Sequence, residues 1–136
     1  VRQVRFVTRL PEVNDTIKKE LISRLFAATL VWRGAVVRKM QGPKSGKFYR
    51  VPTTGVMYQA SAPGESPAIR EGLLRVSYGT DVDKEELIGF MGTDLDYGLY
   101  LERGTVHMEP RPVIEPAFMD VKDQITDLMK GPIRGN

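Results

Sequence analysis

The sequence predicts a single α+β domain. Three observations carry that prediction: a long apolar stripe at helical spacing near the N-terminal end, a middle stretch of short segments punctuated by Gly and Pro, and a second helical stripe near the C-terminal end. At 136 residues the chain has the size of one domain, and a hydrophobic content of 41% supplies a core. The expected architecture is a small antiparallel sheet of about four strands packed with a long N-terminal helix and a C-terminal helix, plus an extended loop or hairpin.

Residues 15–40 give the clearest element. Ile17, Leu21, Leu25, Ala28, Trp32 and Val36 recur every three or four residues, with Asn14 or Asp15 as N-cap and Gly42-Pro43 as the stop. A flanking set, Ile22, Phe26, Leu30 and Val37, widens the apolar face, so this helix is expected at the centre of the fold or between a sheet and a neighbouring subunit. Gly34 marks a bend or a close contact within it. Val1 to Leu10 alternate as a strand or an arm. Because the first residue is Val1, an initiator Met is expected upstream.

From 42 to 67 Gly, Pro, Ser, Thr and Ala dominate, which predicts an extended loop or hairpin reaching out of the domain. Phe48–Val51 and Val56–Ser61 are its arms and Thr53 to Gly55 its turn. Strands are expected across 72–92. Leu74, Val76 and Tyr78 alternate with polar residues, and Leu87 to Met91 form the partner across the acidic turn Asp81 to Glu86. Tyr97 to Leu101 predicts one helical turn ending at Gly104. A C-terminal helix over 113–130 follows from Ile114, Phe118, Val121, Ile125 and Leu128, with Gly131-Pro132 as its stop.

Composition argues against an enzyme. The chain has no cysteine, which removes disulfides, thiolate metal sites and thiol nucleophiles, and its one histidine, His107, excludes a multi-histidine metal centre. No apolar run reaches the roughly 18 residues of a membrane span, and nothing resembles a secretory signal. Gly42 to Lys47 fails as a phosphate loop: its glycines are too close together, Phe48 stands where Ser or Thr is required, and the segment trails a helix. Asp81, Asp83 and Glu85 lack the Gly and the distal Glu of a calcium loop. Catalytic, metal and cofactor sites are therefore expected to be absent.

Charge is segregated. Residues 1–50 carry +9, residues 51–100 carry −5, and the rest −1, for a total of +3. Arg24, Arg33, Arg38, Lys39, Lys44 and Lys47 form a candidate basic face, turned to nucleic acid or to the acidic middle of an adjacent copy. Phe48, Tyr49 and Tyr58 on the extended segment, with Glu102, Arg103 and Arg111 near the start of the last helix, are candidate subunit or partner contacts.

The run Tyr97, Tyr100, Leu101, Glu102, Gly104, Thr105, then Met108, Arg111, Pro112, Pro116 and Ala117, resembles a phage family. These are the tail-component or head–tail joining (neck) proteins of lambdoid-type tailed phages, which carry Tyr-x-x-Tyr-Leu-Glu-x-Gly-Thr followed by Met-x-x-Arg-Pro-Phe-Leu-x-Pro-Ala. Val113-Ile114 stands here for Phe-Leu, and Glu71 replaces a Thr before Gly72. Ser45 to Arg50, Ala60 to Glu65 and Pro67-Ala68 match the family's loop, so the resemblance spans about residues 42–120 in order.

The resemblance implies a non-catalytic virion protein without cofactor, assembled in the host cytoplasm and located in the neck or tail. It implies a homo-oligomeric ring, a hexamer or dodecamer. The implied neighbours are a portal-side connector, adaptor or stopper and a tail terminator or tail tube protein. Double-stranded DNA would pass through non-specifically, and no membrane is involved. Alternatives are a tail terminator or minor tail component and, in a different class, a small basic nucleic-acid-binding protein.

Overall fold

The computed structural model describes residues 6–7, 15–70 and 72–132. Helix α1 (Asp15–Gln41) runs unbroken through Gly34, where an added Cβ would meet only the Arg38 guanidinium, at 3.2 Å. Its stripe is buried as the spacing requires: Leu21, Leu25, Ala28, Trp32 and Val36 all lie in the core. The flanking Phe26 and Leu30 stay exposed, while Ile22 and Val37 are half-buried. Asp15 is the first helical residue, with its carboxylate in the positive first turn, and Asn14 lies outside the described residues.

Strand β1 (Phe6–Val7) is the described part of the N-terminal segment; its remaining residues up to Leu10 lie outside the description. It joins β4 (Gly79–Asp83) and β5 (Ile88–Gly92) in an antiparallel sheet of order β1-β5-β4, with Thr80 opposite Met91 and Val82 opposite Gly89. One face, carrying Val82 and Met91, turns to α1, as period-2 alternation demands. Asp83 Oδ1 accepts from the N–H groups of Glu85 and Glu86 at 3.0 and 2.9 Å and closes the β4–β5 turn. A separate hairpin pairs β2 (Phe48–Arg50) with β3 (Met57–Gln59), Tyr49 opposite Tyr58. The expected single sheet is thus two: β2 and β3 pair only with each other, and the chain that follows is occupied by a loop and a helix before β4.

That helix corrects the sequence-based expectation. Residues 73–77 form α2 (Leu73–Ser77), not a strand, and the strand begins at Gly79. Leu74 and Tyr78 are four apart, so a strand and a helical turn both place them on one side. Val76 separates the two cases, and it is 64% exposed, where a half-buried strand would hide it. Gly72, at φ +83°, turns the chain into α2.

Helix α3 (Asp96–Arg103) makes two turns where one was expected, and ends at Gly104. Gly104 has φ +75°, and a Cβ there would fall 2.8 Å from the Met108 carbonyl and 2.9 Å from Pro110. The chain therefore reverses tightly into α4 (Ile114–Lys130), within one residue of the predicted bounds. Helices α1 and α4 pack through Trp32, whose ring meets Phe118 edge-on at 5.3 Å and whose Nε1 donates to the Ile114 carbonyl at 2.9 Å.

The start of α4 has an unusual cap. Val113 holds the N-cap position and offers no side-chain acceptor. Glu102, on α3 and only 3% exposed, fills the role. Its Oε2 accepts from the N–H groups of Val113 (2.8 Å) and Ile114 (3.2 Å), and its Oε1 from that of Glu115 (3.2 Å). A buried carboxylate is tolerated there because it satisfies orphan donors at the positive end of the helix. Its charge, together with burial, raises the pKa of the neighbouring Tyr78 hydroxyl, with burial the larger cause.

Glu102→Ala would strand several buried donors, and we expect it to lower the unfolding free energy by about 3 kcal/mol in urea titrations. Glu102→Gln keeps one acceptor oxygen and is expected to lose less. Equal stability of the wild type and the alanine variant would contradict the assignment.

Candidate functional site

The hairpin leaves the body at its root and is held there by polar contacts. The Lys44 ammonium donates to the Lys39 carbonyl at 3.1 Å and to Ser66 Oγ at 2.7 Å, and Ser66 Oγ donates to the same carbonyl at 2.8 Å, closing the end of α1. The Glu65 carboxylate accepts from the N–H groups of Ala62 (2.8 Å) and Ser45 (3.1 Å) and from the Ser45 hydroxyl. These bonds, led by the Ser45 hydroxyl, hold the Glu65 pKa below the ordinary carboxylate value. Partial burial is the main cause lowering the Lys44 pKa. Gly46 is required by close approach: a Cβ would lie 2.5 Å from the Ala60 carbonyl oxygen. The segment is less detached than its composition suggests, since Val51, Ser61 and Pro67 are buried.

Beyond that root the hairpin displays apolar side chains. Phe48, Tyr49, Val56 and Met57 are exposed, and Tyr58 is half-buried, its ring tilted against Tyr49 at 6.0 Å. The register puts Tyr49 and Tyr58 on one face and Phe48, Arg50, Met57 and Gln59 on the other.

Tyr58 also borders a groove of about 510 Å³ between the hairpin root and helices α2 and α3. Met40, Ile69, Leu74 and Leu101 supply apolar surface, with Leu73 and Tyr97 at the exposed side. Three arginines, Arg70, Arg75 and Arg111, line it, and among the described residues no acidic side chain does. Arg111 is fixed by its own N–H to the Leu101 carbonyl at 2.6 Å and by Nε to the Ser61 carbonyl at 3.2 Å, so it straps the hairpin root to α3.

The six candidate basic residues do not form one surface. Arg24 donates from Nε to Glu20 at 3.1 Å and from its terminal nitrogens to the carbonyls of Met129, Gly131 and Pro132, closing the far end of α4. Arg33 Nε donates to the Tyr78 carbonyl at 2.7 Å, and Lys39 pairs with Asp120 at 2.8 Å. Lys44 serves the hairpin root, and Arg38 and Lys47 are exposed. Of the other three candidates, Glu102 is the buried cap, Arg111 the strap and Arg103 exposed. His107 is exposed in the turn after α3. Among the described residues no cluster of three or more His, Asp or Glu side chains could hold a metal ion, and no helix is long and apolar enough to cross a membrane.

Arg70, Arg75 and the Glu65 anchor escape a sequence search. Arg75 belongs to a stretch with strand-like alternation, which hides that α2 carries it to the groove, and Arg70 lies in the loop before that helix. No protein-family model, no curated protein and no solved structure matches the chain.

Glu65 carries a sign-defined prediction. A carboxylate with a lowered folded-state pKa stabilises its surroundings above the ordinary carboxylate value, and that contribution is lost as pH falls through the folded pKa. The protection factors of the Ser45 and Ala62 amides, which correct for the intrinsic pH dependence of exchange, are therefore expected to fall on acidification before those of the α1–α4 core. Glu65→Gln should show the lowered protection already at neutral pH. Exchange in the variant that matches the wild type would refute the anchor.

Proposed function

We propose that this chain is a structural subunit of a tailed-phage virion, forming a ring at the head–tail interface that joins the portal-side connector to the tail and lets the genome pass. The observation that carries this reading is the hairpin β2–β3, a rigidly rooted arm whose Phe48, Tyr49, Val56 and Met57 are exposed. Apolar arms of this kind are costly in water unless a partner covers them. They suit a protein that grips the rings above and below it.

The resemblance over residues 42–120 supports the same reading and adds the neighbours: a connector, adaptor or stopper on one side and a terminator or tube protein on the other. Segregated charge supports contact between copies. Arg38 and Lys47 are the members of the basic set exposed enough to touch passing phosphates, and such contacts are sequence-blind. A nucleic-acid-binding function draws less support, because Arg24, Arg33, Lys39 and Lys44 have partners within the subunit.

Replacing residues 48–59 by a short Gly-Ser turn should leave a cooperatively unfolding protein. A phage carrying that change should accumulate filled heads and separate tails in electron micrographs. Joined, infectious particles from the variant, or absence of the wild-type protein from purified virions by mass spectrometry, would overturn the proposal.

A further inference from the structure

Helix α1 carries more apolar surface than its own subunit covers. Gly89 of β5 lies under its middle, where an added Cβ would fall 2.8 Å from Thr29 Cγ2, and α4 packs on one flank through Arg24 and Lys39. The other flank follows β4. There Arg33 reaches the carbonyl of Tyr78, the residue before that strand, and Ile22 packs on the cluster that holds Val82. Phe26, seven residues before Arg33 and so on the same flank, is 37% exposed, and Leu30 beside it is 58% exposed. Both side chains therefore project past the last strand of the sheet. Among the described residues nothing pairs with the outer edge of β4, and the Asp81 carboxylate holds the Val82 N–H at 2.8 Å.

We propose that β2 of a second copy adds to this edge as a further strand, with Phe48 laid over Phe26 and Leu30 and Lys47 beside Asp81. Strand β2 is exposed at all three residues, whereas Tyr58 and Gln59 of β3 are half-buried, so β2 presents the open edge of the hairpin. Alternation sorts the side chains as the seat requires. Val82 packs on α1 and Asp81 is exposed, so a strand with Phe48 on the helix side brings Lys47 to the side of Asp81. Charge agrees with that arrangement. Residues 43–64 contain Lys44, Lys47 and Arg50 and no acid, while β4 and its turn carry Asp81, Asp83, Glu85 and Glu86 against Lys84. In the free subunit Asp81 guards the edge, and Lys47 draws its carboxylate off the Val82 N–H as the strand docks. The contact joins two different surfaces, so it is head-to-tail, and repeated it closes into a ring or extends as a filament. It names one neighbour that the arm grips and rests on the assembly reading above for closure of a ring; the pairwise contact is tested on purified protein without it.

The test is sedimentation equilibrium of the full chain from about 10 µM to 1 mM, a range that brackets weak protein contacts. The wild type is expected to associate with rising concentration, and the Thr80 and Val82 amides to gain exchange protection as it does. Phe48→Lys and Leu30→Lys are each expected to weaken association by about tenfold or more. An equimolar mixture of the two variants retains one intact hairpin and one intact seat. It should form a 1:1 dimer and nothing larger.

Charge reversal repeats the test should either first variant melt early by circular dichroism: Lys47→Glu and Asp81→Lys each weaken association, and the chain carrying both recovers it. A wild type that stays monomeric throughout, variants that associate as the wild type does, or a mixture that stays monomeric would overturn the contact. Thr80 and Val82 amides already protected in the monomer, by a segment of the same chain, would overturn it as well. Association that leaves those two amides unprotected would overturn the strand addition and assign the contact to another surface. None of these results bears on whether the protein is found in virions, so the two proposals fail separately.

Discussion

The carboxylate of Glu102 is the constraint on which the arrangement of the domain depends. It reaches from the last turn of α3 to the first N–H groups of α4, and the Trp32 indole from α1 meets the Ile114 carbonyl in the same turn. Three helices are therefore keyed together within one helical turn. The reversal between α3 and α4 is set by Gly104, and Arg111, seven residues further on, straps the hairpin root to α3. One buried charge thereby fixes the wall of the groove as well as the direction of the last helix.

Helix α4 is closed at both ends by charges from other elements. Glu102 meets its positive end and Arg24 of α1 reaches the carbonyls at its negative end. Both follow the sense of the helix dipole, and both satisfy groups that the helix cannot satisfy internally. The consequence for function is subtractive. Charges that look free for a partner in the sequence are spent inside the subunit, which directs attention to the hairpin, the edge of β4 and the exposed flank of α1.

The legibility of these features follows their range along the chain. Helices α1 and α4 were readable because burial repeats every three or four residues, and the β2–β3 hairpin because Thr53, Thr54 and Gly55 separate two short apolar arms. The α+β class follows from those elements. Helix α2 was misread because Leu74 and Tyr78 satisfy two periods at once, and only the exposure of Val76 tells them apart. The Glu102 cap was unreadable in kind: its acceptor stands eleven residues before the N–H group of Val113, outside any local capping pattern. A hint existed in the absence of Ser, Thr, Asp or Asn at position 113, which requires an acceptor from elsewhere. The groove needs α2, α3, the end of α1 and the hairpin root together, and no spacing encodes that meeting.

The Glu102–α4 junction is part of the global core and not a frayed helix end. Native-state hydrogen exchange of the Val113, Ile114 and Glu115 amides across low denaturant concentrations tests it most directly. These three amides are expected to exchange only through global unfolding, with the same denaturant dependence as the amides around Trp32. Exchange through local opening, insensitive to denaturant and far faster than that of the α1 centre, would contradict it.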